Sequence, residues 1–149
     1  MEIISNSSEN TKKIAREFSK KLNPGSILAF YGNLGAGKTT FIQGLAEGLG
    51  YKGRVFSPTF IFVRPYKISE QKAESGQHKS AIKTLYHIDL YRIEKATDLK
   101  TIGIQEFLED KEAISAIEWA EKIDKFLPKN AMKIMITPLS PTERKITIT

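Results

Sequence analysis

Cysteine is absent from the 149 residues of this sequence. Its absence excludes a disulfide framework and a zinc–thiolate site as sources of stability. Long apolar runs are absent too, since none approaches the roughly 20 residues that a membrane-spanning helix requires. The N-terminus lacks the basic region and the long apolar region of a secretory signal. We therefore expect a cytoplasmic protein that has no membrane partner.

Arginine is scarce as well, with five residues against 18 lysines, although the formal net charge is +6. A basic balance can indicate a nucleic-acid partner. The lysines are spread along the chain, however, without an arginine-rich run or a basic strand interleaved with aromatic residues. A lysine-rich solvated surface is therefore favoured over a direct nucleic-acid site. The apolar content of 40% is typical of a globular protein, and the length predicts one domain spanning residues 1–149.

What the sequence does contain is a glycine-rich motif between a predicted strand and a predicted helix. Residues 32–39, Gly-Asn-Leu-Gly-Ala-Gly-Lys-Thr, match G-x-x-x-x-G-K-S/T at every fixed position. The apolar residues 27–31 before it predict a buried strand, and residues 40–47 after it predict a helix. In this context the pattern forms a phosphate-binding loop (the P-loop) rather than an ordinary glycine-rich turn.

The residue types of the P-loop suit a phosphate chain. Glycine residues let the main chain approach a phosphate and turn its N–H groups toward it. The helix that follows presents unpaired N–H groups to the same anion. We predict that Lys38 reaches the β- and γ-phosphates and that the Thr39 hydroxyl holds Mg²⁺. The predicted nucleotide-binding residues are Gly35, Ala36, Gly37, Lys38, Thr39 and Thr40.

A P-loop protein that hydrolyses nucleotide also needs an acidic residue near the metal, at the end of a buried strand. Glu118 follows the apolar run 113–117, and Asp89 lies in the apolar-flanked stretch 87–92. We predict that both carboxylates and the Lys38 ammonium are catalytic and that Glu118 is a metal ligand. Which carboxylate binds the metal directly is left open. The structural alternatives are a surface acid at Glu118 and an Asp89–Arg92 ion pair.

Three other residues are candidates for sensing or support. The Thr59 hydroxyl, in Ser-Pro-Thr, can act as a switch that senses the γ-phosphate or its metal, with an ordinary turn as an equal alternative. Trp119, the only tryptophan, follows Glu118 directly, and we expect its indole at the rim of the site on a segment that responds to nucleotide. His87 shares a strand face with Asp89 and is expected to be structural, because Mg²⁺ prefers oxygen ligands.

Only a missing motif bears on which base the nucleotide carries. Guanine-reading GTPases carry N-K-x-D or T-K-x-D on a late strand, and the sequence has neither. This favours ATP over GTP. From the expected path of the chain, residues 6–11 are candidates for contacting adenine, but no motif identifies them.

Hydrophobic periodicity and turn residues predict the rest of the fold. The predicted strands are 2–5, 60–63 (ending near Pro65), 85–91 and 113–117, and residues 132–137 and 144–149 are predicted to form a C-terminal hairpin. A first helix is predicted to begin at a capping box of Asn6 and Glu9, or at Ser8. Further helices are predicted on one or both sides of Gly103 and over 120–127. The polar stretch 67–83 is predicted to be a long loop without a crossover helix, so we expect its flanking strands to be antiparallel. These elements predict a single α/β domain with a P-loop NTPase-like three-layer fold around a mixed β-sheet.

Four motifs in this order and spacing together resemble the TsaE (YjeE) family of small bacterial ATPases. They are the loop that begins at Gly32, the Ser57-Pro58-Thr59 segment, the stretch from His87 to Arg92, and Ile117-Glu118-Trp119. The resemblance covers nearly the whole chain. It departs from the family at Asn33, where Asp is common, and at Ala120, where Pro is common. Neither position is a proposed metal ligand.

The resemblance implies a role in making threonylcarbamoyladenosine, a modification next to the anticodon of tRNA. It implies an ATPase that uses ATP and Mg²⁺, works with a TsaD–TsaB heterodimer, and meets tRNA indirectly through that complex. Low basal activity is expected, because no arginine finger is evident in the sequence.

Two other functions remain open from the sequence. The first alternative is a small-molecule kinase on the same scaffold, which would need an acceptor pocket and an arginine-rich lid. Near the site we expect only Arg54, Arg64 and Arg92, and no lid is evident. A tRNA-binding module that uses ATP structurally is the second alternative, and it predicts tight binding of tRNA with a steep salt dependence.

Overall fold

The structure, a computed structural model, describes residues 1–58, 60–68 and 82–149. In chain order its elements are β1 (Glu2–Ser5), α1 (Ser8–Ser19), β2 (Ile27–Tyr31), α2 (Lys38–Gly48), β3 (Val63–Lys67), β4 (Thr84–Asp89), α3 (Ala96–Thr101), α4 (Ile104–Glu109), β5 (Ala113–Glu118), a 3₁₀ helix η1 (Ala120–Phe126), β6 (Met132–Pro138) and β7 (Arg144–Ile148). None of the helices in these ranges has the length and apolar character needed to cross a membrane.

The seven strands of the described ranges form one mixed sheet in the order β1-β7-β6-β2-β5-β4-β3. The four central strands are parallel, because β2 pairs with both β5 and β6 and β4 pairs with β5. The strands at both ends are antiparallel to their neighbours. The mixed sheet, the antiparallel β3–β4 pair and the C-terminal β6–β7 hairpin confirm the predictions from the sequence.

Both faces of the sheet are buried, as a parallel sheet requires. Side chains alternate along a strand, so Leu28 and Phe30 of β2 face one side while Ile27 and Ala29 face the other. The first pair packs in a core with α1 and α2 (Ala15, Phe18, Phe41, Ile42, Leu45). The second pair packs in a core with α3, α4 and η1 (Leu99, Ile104, Leu108, Ala120, Ile123). This gives the predicted three-layer architecture.

Helix α2, which begins at the P-loop, is held by close packing against α1. A Cβ atom at Gly44 would lie 2.5 Å from the Lys12 carbonyl oxygen and 2.8 Å from the Ala15 Cβ. Only glycine fits at this contact, so Gly44 lets the two helices approach. Packing of this density leaves little room for α2 to shift.

The predicted start of this strand at Phe60 was wrong, although the strand itself is present as β3. The N–H groups of Ile61 and Phe62 instead donate to the Pro58 carbonyl, at 3.0 and 2.8 Å, in a tight turn. The φ angle of Phe62 is 62°, outside the β region. The strand begins at Val63 and continues through Pro65. A proline is tolerated there because β3 is the last strand of the sheet within the described ranges, and no other described strand pairs with its outer side.

The predicted start of the first helix was also wrong by one residue. The N-cap is Ser7, whose backbone is extended and whose hydroxyl accepts the Asn10 N–H at 3.0 Å. Glu9 does not close a capping box and instead pairs with Arg16 at 2.8 Å. The short helices α3 and α4 do meet at Gly103, whose φ is 68°. Most of the predicted 67–83 loop lies outside the described residues.

Candidate functional site

The P-loop and the two predicted carboxylates meet at one edge of the sheet. The loop leaves the end of β2, Asp89 is the last residue of β4, and Glu118 is the last residue of β5. A cavity of about 370 Å³ lies at this edge, within the usual size range of ligand pockets. It is lined by Leu34, Gly35, Ala36, Gly37, Lys38, Thr39, Thr40, Ser57, Asp89, Tyr91, Glu118 and Trp119.

The cavity brings together the predicted site residues of the described ranges. All six predicted nucleotide-binding residues line it, as do both carboxylates and Trp119. Thr59, the predicted switch, lies outside the described residues. Its neighbour Ser57 lines the cavity.

Carbonyl groups of the P-loop accept hydrogen bonds from other groups of the same loop and from Lys38. The Asn33 carbonyl accepts the Ala36 N–H at 3.0 Å, and the Lys38 ammonium donates to the carbonyls of Gly32 and Asn33 at 2.5 and 3.1 Å. Gly37 has a φ of 109°, in the region that favours glycine. These bonds fix the loop, and they keep two of its carbonyl dipoles engaged away from an incoming anion.

Lys38 is almost fully enclosed, with 4% of its surface exposed. Its ammonium lies 4.1 Å from the centre of the Trp119 ring, in a cation–π contact. Burial lowers the pKa of Lys38 below the ordinary value of 10.5, and the carboxylates of Glu118, Glu121 and Asp89 partly oppose that shift. A phosphate group beside the ammonium would favour its charged form still further.

Alternation along two neighbouring strands places both carboxylates on one face of the sheet. In β4, Asp89 shares the face of Leu85, which packs in the core formed with α1 and α2. In β5, Glu118 shares the face of Ala116, which lies in the same core. Asp89 and Glu118 are also direct partners in the β4–β5 ladder. Both therefore point toward the start of α2, where the P-loop ends.

Glu118 lies at the centre of a buried polar chain. Its Oε1 atom accepts the Thr39 hydroxyl at 2.7 Å and lies 2.7 Å from His87 Nε2. An ionised carboxylate can only accept, so His87 Nε2 is the donor. His87 is fully buried, and its Nδ1 has no hydrogen-bond partner among the described residues. Among the described residues, the imidazole of His87 therefore has one polar contact, and this contact orients Glu118.

Asp89 accepts hydrogen bonds from Ser57 and Tyr91. Its Oδ2 accepts the Ser57 hydroxyl at 3.0 Å, and its Oδ1 accepts the Tyr91 N–H at 2.9 Å. The alternative of an Asp89–Arg92 ion pair is not found among the ion pairs of the described ranges. Arg92 instead lies over the Phe60 ring at 4.3 Å. Asp89 thus connects the end of β4 to the Ser-Pro-Thr segment.

Trp119 lies directly after the end of β5. Its φ is 59°, a left-handed conformation that turns the chain out of the strand and into η1. The indole packs on the Tyr91 ring, with 5.1 Å between the ring centres, and on the Lys38 ammonium. Trp119 is partly exposed, at the rim of the cavity.

The donor set at the cavity suits a magnesium ion. The described residues contain no group of three or more His, Cys, Asp or Glu side chains that could enclose a metal. The Thr39 hydroxyl and the Glu118 carboxylate supply two oxygen atoms instead. Mg²⁺ is characteristically bound in this way, with few protein oxygens and with phosphate oxygens and water completing its shell.

Sequence reasoning missed two residues of the site. Tyr91 lines the cavity and packs on Trp119. Arg144, on β7, donates to the Ala36 carbonyl of the P-loop at 2.9 Å, so the expectation that only Arg54, Arg64 and Arg92 lie near the site was wrong. The sequence predicts the C-terminal hairpin that contains Arg144. Only the strand order β7-β6-β2, however, shows that the turn of this hairpin lies beside the P-loop.

Comparison with known proteins identifies the family of the chain. Residues 5–146 match the family model of the threonylcarbamoyl adenosine biosynthesis protein TsaE. The tRNA threonylcarbamoyladenosine biosynthesis protein TsaE of Bacillus subtilis (strain 168) is 36% identical over 141 residues, which are 95% of this chain and 80% of the relative. The protein of the same name from Treponema pallidum (strain Nichols) is 33% identical over 148 residues, or 99% of both chains.

A solved structure agrees with these relatives. The crystal structure of Bacillus subtilis YdiB matches 99% of this chain and 83% of its own, with a TM-score of 0.76 and 31% sequence identity. The family model covers nearly all of the sequence, and the relatives are similar over most of their own lengths. The chain therefore belongs to the TsaE family.

Proposed function

We propose that this chain binds ATP with Mg²⁺ in the P-loop cavity and hydrolyses it, as a subunit of the machinery that makes threonylcarbamoyladenosine in tRNA. The tRNA modification is in the name of the curated relatives. The nucleotide chemistry is supported by the cavity. We propose that the chain works in the cytoplasm, with the tRNA it serves.

One contact carries the proposal. The Thr39 hydroxyl and the Glu118 carboxylate are 79 residues apart in sequence, yet they lie 2.7 Å apart at the start of α2. A glycine-rich turn without a metal-dependent function has no need of a buried carboxylate at this place. We propose that Thr39 and Glu118 hold Mg²⁺. When bound, the ion neutralises charge that develops on the phosphate oxygens.

The other residues of the cavity have matching roles. The N–H groups of the P-loop and of the first turn of α2 bind the phosphate chain, and Lys38 contributes its charge. His87 holds Glu118 in one orientation. Asp89, which is 4% exposed and accepts hydrogen bonds from Ser57 and Tyr91, is the proposed second catalytic carboxylate, able to orient an attacking water and accept its proton.

We propose that the chain alone hydrolyses ATP slowly and that a TsaD–TsaB complex accelerates it. None of the described residues that line the cavity is an arginine. We propose that a partner supplies the charge that an arginine finger would provide in the transition state. We propose that tRNA is reached through that complex, since the chain has no basic strand or arginine-rich run of its own.

Reconstitution tests the proposal. Phosphate release from Mg²⁺·ATP is measured with the chain alone and with TsaD–TsaB and tRNA, and the modified nucleoside is measured in the same reaction. We expect slow release by the chain alone, faster release with the partners, and no modification when Lys38→Ala replaces the parent chain. Equal modification without the chain would contradict the proposal.

The same reaction with added acceptors, together with a tRNA-binding measurement on the chain alone, separates the alternatives. A small-molecule kinase would transfer the phosphate to an added acceptor and release little of it as inorganic phosphate. A tRNA-binding module would bind tRNA tightly without partners, with affinity falling steeply as salt rises. The proposed ATPase binds tRNA weakly on its own.

A further inference from the structure

Arg144 connects the C-terminal hairpin to the P-loop. It opens β7, where it pairs with Ser5 of β1 on one side and with Pro138 of β6 on the other. Its half-buried side chain reaches across to the P-loop, and its Nε donates to the Ala36 carbonyl at 2.9 Å. These two residues are 108 positions apart in the sequence.

The rest of the guanidinium holds the turn between β6 and β7. Its Nη1 donates to the carbonyls of Ser140 and Glu143, both at 2.9 Å, and to that of Pro141 at 3.3 Å. A guanidinium offers five donors in a rigid, planar fork, whereas a lysine ammonium is a single point. Arg144 can therefore bind the β6–β7 turn and the P-loop at the same time. Its bonds to the turn carbonyls fix the orientation of the guanidinium that donates to Ala36.

The Ala36 bond controls the direction of the next amide. A peptide unit is planar and trans, so the Gly37 N–H points opposite to the Ala36 C=O. The carbonyl is directed toward Arg144, which does not line the cavity, and Gly37 does line it. The N–H is thereby turned away from Arg144. Because Gly37 has no Cβ, this peptide could otherwise flip and present its carbonyl to an anion.

We infer that Arg144 is a positioning residue: its guanidinium locks the Ala36–Gly37 peptide so that the Gly37 N–H serves as a phosphate donor. The inference rests on the proposed binding of ATP. Arg144 acts through the P-loop backbone and touches no reacting atom. Its permanent positive charge behind the loop favours an anion in the cavity as well.

The test measures dissociation constants for Mg²⁺·ATP and for inorganic tripolyphosphate, which has no base or sugar. Arg144→Ala should weaken both by about tenfold or more, the loss expected when a charged hydrogen bond is removed. Arg144→Lys keeps the charge but cannot reproduce the fork, and it should weaken both to a similar extent. Lys145→Ala, which removes one positive charge from the next residue of β7, should change neither by more than about twofold.

Two further measurements separate positioning from a general loss of structure. Millimolar methylguanidinium should recover part of the tripolyphosphate affinity of Arg144→Ala and leave the parent unchanged. In the parent, tripolyphosphate should shift the ¹H–¹⁵N resonance of the Gly37 amide, and in Arg144→Lys that shift should be reduced. If Arg144→Ala does not fold, Arg144→Lys carries the test, since it keeps the stem and the charge.

Several outcomes would overturn the inference. They are parent-like affinity in Arg144→Ala or Arg144→Lys, no recovery with methylguanidinium, or an unchanged Gly37 shift in Arg144→Lys. In each of them the parent still binds Mg²⁺·ATP and the proposed function stands. Failure of the parent to bind Mg²⁺·ATP would instead overturn the proposed function itself.

Discussion

The Lys38 ammonium rests 4.1 Å from the centre of the Trp119 ring, the only tryptophan of the chain. Because phosphates compete for this ammonium, Mg²⁺·ATP should change the contact and with it the tryptophan fluorescence. Lys38→Ala should abolish the change. Trp119→Ala should impair partner-dependent activity more than ATP binding, since the indole sits at the rim of the cavity rather than in the P-loop.

A fluorescence titration in the absence and presence of Mg²⁺ checks this prediction. AMP, which lacks the β- and γ-phosphates, is the control ligand and should leave the emission nearly unchanged. An emission spectrum that is indifferent to saturating Mg²⁺·ATP would mean that Trp119 is only a packing residue.

The second prediction concerns the two carboxylates. Glu118→Gln and Asp89→Asn should each lower the rate of ATP hydrolysis by at least about tenfold and affect ATP binding less, because charge positioning serves mainly the transition state. Glu2→Gln is the matched control, since Glu2 is exposed and does not line the cavity. A variant that hydrolyses ATP at the parent rate would identify its carboxylate as structural.

The third prediction separates the role of His87 from that of a metal ligand. His87 Nε2 holds Glu118 at 2.7 Å. His87→Leu should raise the Mg²⁺ concentration needed for half-maximal hydrolysis by about tenfold, the usual lower range for loss of an orienting partner. His87→Gln keeps an N–H donor and should stay closer to the parent. Equal Mg²⁺ requirements in all three proteins would show that His87 does not orient Glu118.

The fourth prediction is a proton uptake on binding. Burial lowers the pKa of Lys38 below 10.5 in the nucleotide-free chain, and phosphates raise it again. Between the lowered and the raised pKa, Lys38 is neutral before binding and charged after it, so Mg²⁺·ATP binding takes up a proton. Below the lowered pKa, Lys38 is charged before binding as well as after it, and it contributes no uptake.

Calorimetry in buffers of different ionisation enthalpy measures this uptake as pH rises toward the ordinary lysine value. Lys38→Arg is the control, because a guanidinium stays charged throughout this range. Uptake that is the same in Lys38→Arg as in the parent would assign the proton to another group.

The sequence predicted the parts of the fold that local pattern controls. The P-loop context, the apolar strand that ends at Glu118 and the break at Gly103 all depend on a few neighbouring residues. The predicted strand start at Phe60 was wrong because a high β-propensity shows only that a residue fits a sheet. The N–H groups of Ile61 and Phe62 instead donate to the Pro58 carbonyl in a turn. The N-cap failed because several polar residues in a row can cap a helix, and the path from β1 selects Ser7.

The candidate site was predictable as far as each residue could be assigned to the end of a strand. Glu118 and Asp89 were placed in this way. Arg144 could not be, because its contact with Ala36 depends on which strands are neighbours and on the reach of a long side chain. The same holds for the stacking of Tyr91 on Trp119, which joins the ends of two strands that are separate in sequence.

Binding of Mg²⁺·ATP by the parent and by Lys38→Ala, measured by titration calorimetry, tests the central claim most directly. The thermal unfolding of both proteins is recorded to show that the fold survives. We expect saturable binding by the parent at one site and no measurable binding by Lys38→Ala, whose loop has lost its one phosphate-facing side-chain charge. Equal affinity of the two proteins for Mg²⁺·ATP would contradict the assignment of the P-loop as the nucleotide site.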